Sequence, residues 1–294
     1  MPELPDIVTY QEALAQRVVG QLLLAVRIRT PFLLRSVAPP LAAVHGKRAT
    51  GVNRLGKRLV LEFEDGLALI IHLMIAGRLH WKPAGAPIGS KISLAAFDFE
   101  SGTLTLTEAG TKRRASLHVV QHPAGLAEFD RGGLDLFDAT GAAFADRLLA
   151  GNHTLKRALT DPRAFDGIGN AYSDEILHAA RLSPLKLTNS LTEDDVTRLY
   201  QACREVLALW IDRLRAERGD EFPEKVTAFR PEMAVHGRFG KPCPVCDAPV
   251  QRIRYADNET NYCARCQTGG RLLADRALSR LLKSDWPRSI DELD

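Results

Sequence analysis

Apolar positions near the start of the chain recur at helical spacing. Val8, Leu14 and Val18 lie on one face and Gly20 closes the segment, which predicts a helix over residues 5–19. The pattern then shortens. Leu22 to Ile28, Leu59 to Phe63, Leu67 to Leu73, Ile92 to Phe99 and Thr103 to Thr107 are apolar or β-branched runs. Asp65-Gly66 and Ser101-Gly102 punctuate them as turns. One helix followed by many strands predicts a β-sandwich or barrel.

The pattern changes at Arg131-Gly132-Gly133. Beyond it, helices are predicted over Phe144 to Leu149, Thr154 to Leu159, Ala171 to Arg181 and Glu193 to Arg218. Thr192-Glu193-Asp194-Asp195 supplies a capping residue and acidic groups favoured by a helix N-terminus. Pro223 to Pro231 reads as a connector. Residues 234–268 carry short strand-like runs, and a last amphipathic helix is predicted over Leu272 to Lys283.

Composition narrows the class. With 45% hydrophobic and 26% charged residues over 294 positions, the chain is globular, not disordered. No apolar run approaches a membrane span, and the acidic Met1-Pro2-Glu3-Leu4-Pro5-Asp6 start is not a signal peptide. A cytoplasmic protein with no membrane partner is expected, as a monomer. The net charge of +3 permits a polyanionic partner without demanding one. Its distribution is more telling. Between His236 and Lys283, Arg and Lys outnumber Asp and Glu, which fits contact with a phosphate backbone.

Four of the five cysteines form two Cys-x-x-Cys knuckles, Cys243/Cys246 and Cys263/Cys266, separated by sixteen residues. Two such knuckles complete a tetrahedral thiolate site suited to one zinc ion, closed and therefore structural. The fifth, Cys203, sits in an apolar helical pattern and reads as a small buried residue.

Removal of Met1 before a small residue leaves Pro2 with a free secondary amine. Such an amine is partly neutral near pH 7 and attacks an aldehyde-like carbon to give a cationic iminium. Glu3 beside it is a candidate general acid or base. The same residues also read as a helix entry with an early proline.

Three separated segments together resemble the formamidopyrimidine-DNA glycosylase and endonuclease VIII family of base-excision repair enzymes. They are Pro2-Glu3-Leu4-Pro5, Gly167-Ile168-Gly169-Asn170-Ala171-Tyr172 and the two cysteine knuckles. The resemblance implies an α+β multidomain protein. It would have an N-terminal β-sandwich with flanking helices over 1–133, a helix–two-turn–helix domain over 134–230, a four-cysteine zinc ribbon hairpin over 231–268, and a C-terminal extension over 269–294. It implies excision of oxidised bases from damaged double-stranded DNA and cutting of the abasic strand by β,δ-elimination. Pro2 would attack the sugar C1′, Glu3 would serve as its acid/base partner, and Lys57 would contact phosphate beside the lesion. Gly167, Gly169 and Asn170 would meet the DNA backbone at a helix N-terminus. A catalytically weak lesion- or junction-binding protein is the alternative.

This sequence also departs from the family. The family's segments that fill the space left by a flipped nucleotide are altered here, and Met74, Ile75, Arg113 and Arg114 are the candidates in their place, although Met74 and Ile75 equally suit sheet packing. Asn258 replaces the arginine implied in the zinc hairpin. It brings no charge, and Asp257 and Glu259 flank it, so Arg252 and Arg254 become the candidate substitutes. Residues 267–294 continue past the usual end, and packing on the body is expected of them, with an extension of the DNA surface as the alternative.

Overall fold

The computed structural model describes residues 1–110, 112–224, 226–227, 229–255, 258–283 and 287–292. They divide into two compact units. The first comprises Met1–Arg131 with Trp210–Thr227, and the second Gly132–Leu209 with Ala228–Asp294.

The first unit opens with α1 (Leu4–Val18). Ile7, Tyr10, Leu14 and Val18 follow helical spacing and are fully buried. Each such side chain contributes roughly 1.5–3 kcal/mol, so packing holds this helix more than propensity does. Eight strands follow: β1 (Leu22–Ile28), β2 (Lys47–Leu55), β3 (Arg58–Phe63), β4 (Leu67–His72), β5 (Gly77–Lys82), β6 (Ser93–Phe99), β7 (Thr103–Glu108) and β8 (Ser116–Gln121). Their order is β5-β7-β6-β1-β2-β3-β4-β8, all antiparallel. β1 and β2 meet only at Leu22↔Arg48 and Leu23↔Lys47, so the sheet folds there into two four-stranded halves. Leu79, Phe97, Phe99 and Leu104 of one half share a core with Leu61, Leu69, Ile71 and Val119 of the other. This is the expected β-sandwich, with α1 packed on its core.

The second unit is helical, then zinc-ribbon-like. It contains α2 (Gly141–Leu149), α3 (Leu155–Thr160), α4 (Asn170–Ala179) and the first part of α5 (Glu193–Arg218). Thr192 begins α5 as expected. Its hydroxyl accepts from Asp195 N–H at 3.2 Å, and the Asp195 carboxylate accepts from Thr192 N–H at 3.2 Å, a reciprocal cap. The end of α5 and residues up to Thr227 lie with the first unit. There Arg215 pairs with Glu12 at 2.6 Å and Phe222 meets the rings of Tyr10 and Trp81.

The zinc-ribbon region holds the hairpin β9 (Gln251–Tyr255) and β10 (Asn258–Tyr262), the short α6 (Ala264–Thr268) and α7 (Arg276–Leu282). The last helix is shorter than the sequence predicts. Leu272 and Leu273 are not helical; they are buried with Val235, Val250, Ile253 and Tyr262, and Ile290 joins them. The extension therefore packs on the body, but through an irregular segment. Leu281 of α7 is 76% exposed, so it does not join that core. Among the described residues, no helix is long and apolar enough to cross a membrane.

Candidate functional site

In the first unit the N-terminus enters α1 directly. Pro2 is buried and Glu3, 2% exposed, is the N-cap. Glu3 N–H donates to Asp6 Oδ2 at 2.9 Å, which pins the turn that carries both residues. The Met1 amine is held below its ordinary value of 8.0. Burial is the largest cause. Glu3 and Asp6 oppose the shift, and the positive charges of Arg78 and Lys57 reinforce it. The terminus thus lies within the field of two carboxylates and two cations.

Lys57 reaches this place from the two-residue turn between β2 and β3. Gly56 takes φ +62 there while Lys57 does not take a positive φ, the pattern of a type II′ hairpin. Arg78 comes from the second position of β5 and His72 from the end of β4. His72 lies opposite Arg58 in the β3–β4 register. Burial, then the charges of Arg58 and Lys57, push the His72 imidazole down to about 4, so it is neutral at pH 7. Neither Arg78 nor His72 stands out in the sequence, because each acquires its role only when its strand is placed.

Met74 and Ile75 do not pack in the sheet. They lie in the turn between β4 and β5, where Met74 adopts φ +52 and Ile75 is 60% exposed. Gly77 closes that turn, since a Cβ there would lie 2.2 Å from Leu73 O. The loop carrying Arg113 and Arg114 is anchored by Glu108, which is buried at the end of β7. Its carboxylate accepts from Arg114 N–H at 3.0 Å and Ala115 N–H at 3.1 Å. The Arg113 guanidinium donates to Lys91 O at 2.7 Å.

In the second unit Gly167 takes φ +79 and Gly169 is the N-cap of α4, which places Asn170 at the first helical position. Lys156 Nζ donates to Asn170 O at 2.7 Å, and Asn170 Nδ2 donates to Glu259 O of β10 at 2.8 Å. The structure therefore joins Asn170 to the zinc hairpin. The same helix carries Asp174 and Glu175, both buried. Asp174 accepts from Lys156 Nζ at 2.5 Å and Asn261 N–H at 3.1 Å, and its Oδ2 lies 2.8 Å from His236 Nδ1. Glu175 accepts from the N–H groups of Ala234, Val235 and His236 at 2.7–2.9 Å. Burial still raises the Glu175 carboxyl against those bonds.

The four sulfurs of Cys243, Cys246, Cys263 and Cys266 all lie within 4.8 Å of one another. Three of the separations are 3.9, 3.4 and 3.4 Å. Tetrahedral Zn–S bonds of about 2.3 Å require edges near 3.8 Å, so the cluster fits one zinc ion. Burial pushes the Cys263 thiol up to about 11 and Cys266 higher still, so binding the cation must release protons. Cys203 is fully buried in α5, away from this cluster, and burial pushes its thiol up.

Asn258 opens β10 and is exposed. Arg252 and Arg254 share a face of β9 with Glu259 opposite, and both pair with it, at 3.3 and 3.7 Å. The Arg252 guanidinium also lies 4.0 Å over the Phe239 ring. The two candidate substitutes are thus drawn toward Glu259. Asp257 lies outside the described residues.

Known proteins match along the whole of this arrangement. Residues 1–116 match the formamidopyrimidine-DNA glycosylase N-terminal domain, residues 135–216 its H2TH domain, and residues 240–269 the zinc finger found in FPG and IleRS. The formamidopyrimidine-DNA glycosylase of Thermus thermophilus is 34% identical over 279 residues, 92% of this chain and 100% of that protein. The one from Carboxydothermus hydrogenoformans is 31% identical, covering 91% and 100%. The solved complex of Lactococcus lactis Fpg with abasic-site DNA superposes with a TM-score of 0.80 at 26% identity, covering 90% of this chain and 99% of that one. The chain belongs to the formamidopyrimidine-DNA glycosylase family. Its zinc site is the family's structural one.

Proposed function

We infer that this protein is a DNA glycosylase with abasic-site lyase activity. The observation that carries the reading is the N-terminal cluster, with a buried Pro2 and Glu3 at the head of α1 and Lys57 and Arg78 acting on the terminal amine. The relatives named above are glycosylases, and one solved neighbour holds abasic-site DNA. None of them favours a scaffold that only binds DNA.

In this reading the neutral Pro2 nitrogen attacks the sugar C1′. The bond from C1′ to the base breaks with its electron pair, and the departing base takes up the proton that the Pro2 nitrogen sheds on bonding to C1′. Glu3 gives a proton to the ring oxygen as the sugar opens, leaving an iminium between Pro2 and C1′. That cation is an electron sink. Loss of a C2′ proton expels the 3′ phosphate, a second elimination expels the 5′ phosphate, and water releases Pro2. Lys57, on its hairpin turn, is a mobile point charge for phosphate. Gly167, Gly169 and Asn170 offer N–H donors at the start of α4. Arg252, Arg254 and Asn258 form the hairpin's share of the DNA surface. The substrate is damaged duplex DNA and the protein acts as a monomer in the cytoplasm, where that DNA is.

Incision of a duplex containing one abasic site tests the reading. The zinc-loaded protein free of Met1 is expected to leave phosphate on both ends of the gap, and Pro2→Gly to bind the duplex without cutting it. Unchanged cutting by Pro2→Gly would sink the assignment of Pro2.

A further inference from the structure

The match to the zinc finger ends at residue 269, yet the chain does not leave the module there. Gly270 O accepts from Ile290 N–H at 2.8 Å, Leu272 N–H donates to Arg288 O at 2.9 Å, and Arg271 bridges to Ser289. Leu273 N–H donates to the Tyr262 hydroxyl at 2.8 Å, which ties the segment to β10 one residue before Cys263. Leu272, Leu273 and Ile290 complete a core that also contains Cys243 and Cys263.

Asp275 is the polar exception in this apolar contact. It is 3% exposed, and its Oδ2 accepts from Arg254 N–H at 2.8 Å. The hairpin has two strands, so the outer edge of β9 faces no further strand among the described residues. The Arg254 N–H is one of the groups such an edge leaves to water or to another chain. A carboxylate on a backbone N–H is a charge-assisted bond, stronger than a neutral one.

We propose that the C-terminal segment is a brace for the zinc hairpin and that Asp275 is its positioning residue, fixing the edge of β9 so that the hairpin meets DNA already ordered. The charge pattern gives the brace its value. Asn258 brings no charge, and Arg252 and Arg254 are drawn to Glu259. A hairpin with little free charge gains affinity from lost flexibility instead, because ordering it on binding costs free energy. Asp275 touches no substrate. It acts through Arg254 and the strand.

The test uses full-length, zinc-loaded Asp275→Ala and Asp275→Asn, with amide exchange in residues 251–262, affinity for a duplex carrying an uncleavable abasic analogue, and single-turnover lyase rate at saturating DNA. Asp275→Ala is expected to speed hairpin exchange and weaken binding, each about tenfold, with the single-turnover rate within twofold of the parent. Asp275→Asn, whose amide oxygen still accepts from Arg254 N–H, is expected to restore most of both. Tyr262→Phe, which removes the acceptor for Leu273 N–H at nearly constant volume, should move exchange and affinity in the same direction. Unchanged exchange in Asp275→Ala, faster exchange with unchanged affinity, or no rescue by Asn would overturn the proposal. The affinity and rate readouts rest on the glycosylase reading, but exchange does not. A wild-type protein that cut no abasic DNA would count against that reading while leaving the exchange result to decide the brace.

Discussion

His178 Nε2 lies 3.3 Å from Cys243 Sγ, both buried, so α4 ends on a zinc ligand. A zinc-bound thiolate only accepts, so Nε2 must carry the proton. Outer partners of this kind orient the ligand and commonly change metal affinity by about 10–100-fold. His178→Phe keeps a planar ring and removes the donor. Zinc transfer to a coloured chelator is expected to run about tenfold faster than in the parent. An unchanged transfer rate would mean the contact is packing alone.

Asp174 sits higher on the same helix and holds Lys156, His236 and Asn261 together. Removing it leaves Lys156, whose side chain is 13% exposed, without its ion-pair partner. Breaking a buried pair in this way costs about 3–5 kcal/mol. Asp174→Ala should therefore shift the urea midpoint strongly downward. A change near 1 kcal/mol would show that water enters and screens the site.

Much of this architecture is legible in the chain, and the reasons differ by element. β1 runs over the expected Leu22–Ile28 because five successive apolar residues, Leu22 to Val26, open it, and α5 begins where Thr192 and Asp195 cap it. β2 escapes a reading by hydrophobicity. Lys47, Arg48, Asn53 and Arg54 dominate it and only Ala49 and Val52 point into the core. β5 and β8 are likewise short and interrupted by His and Arg or Ser. The cysteines and the N-terminal motif announce themselves locally. Arg78, His178 and Asp275 do not, since an ordinary Arg, His or Asp gains its meaning from the strand or thiolate that folding brings beside it.

His72 links stability to pH. Its imidazole titrates at about 4 when folded and near 6.5 when unfolded. Between those values the unfolded chain binds more protons, so stability is present above pH 6.5 and is lost as pH falls toward 4. The loss from this group is on the order of 2 kcal/mol, allowing for its partial exposure. His72→Asn should flatten that part of the profile in denaturant titrations at pH 7, 6 and 5. A profile identical to the parent's would remove His72 as the cause.

The charges at the terminus set a pH dependence for catalysis too. Burial, with Arg78 and Lys57, lowers the Met1 amine, and a Pro2 amine freed by loss of Met1 is expected to meet the same charges. A lowered value leaves more neutral nucleophile at pH 7, so lyase activity should extend below pH 8. Arg78→Gln removes one lowering charge and should move the acidic limb of the single-turnover rate to higher pH. A limb that stays in place would separate Arg78 from the nucleophile.

A covalent intermediate at residue 2 is caught by borohydride trapping on DNA with one abasic site, followed by mass spectrometry of the adduct. With zinc-loaded protein free of Met1, one adduct is expected, carried by the peptide that begins at Pro2. No adduct, or an adduct on a lysine such as Lys57, would rule out Pro2 as the nucleophile.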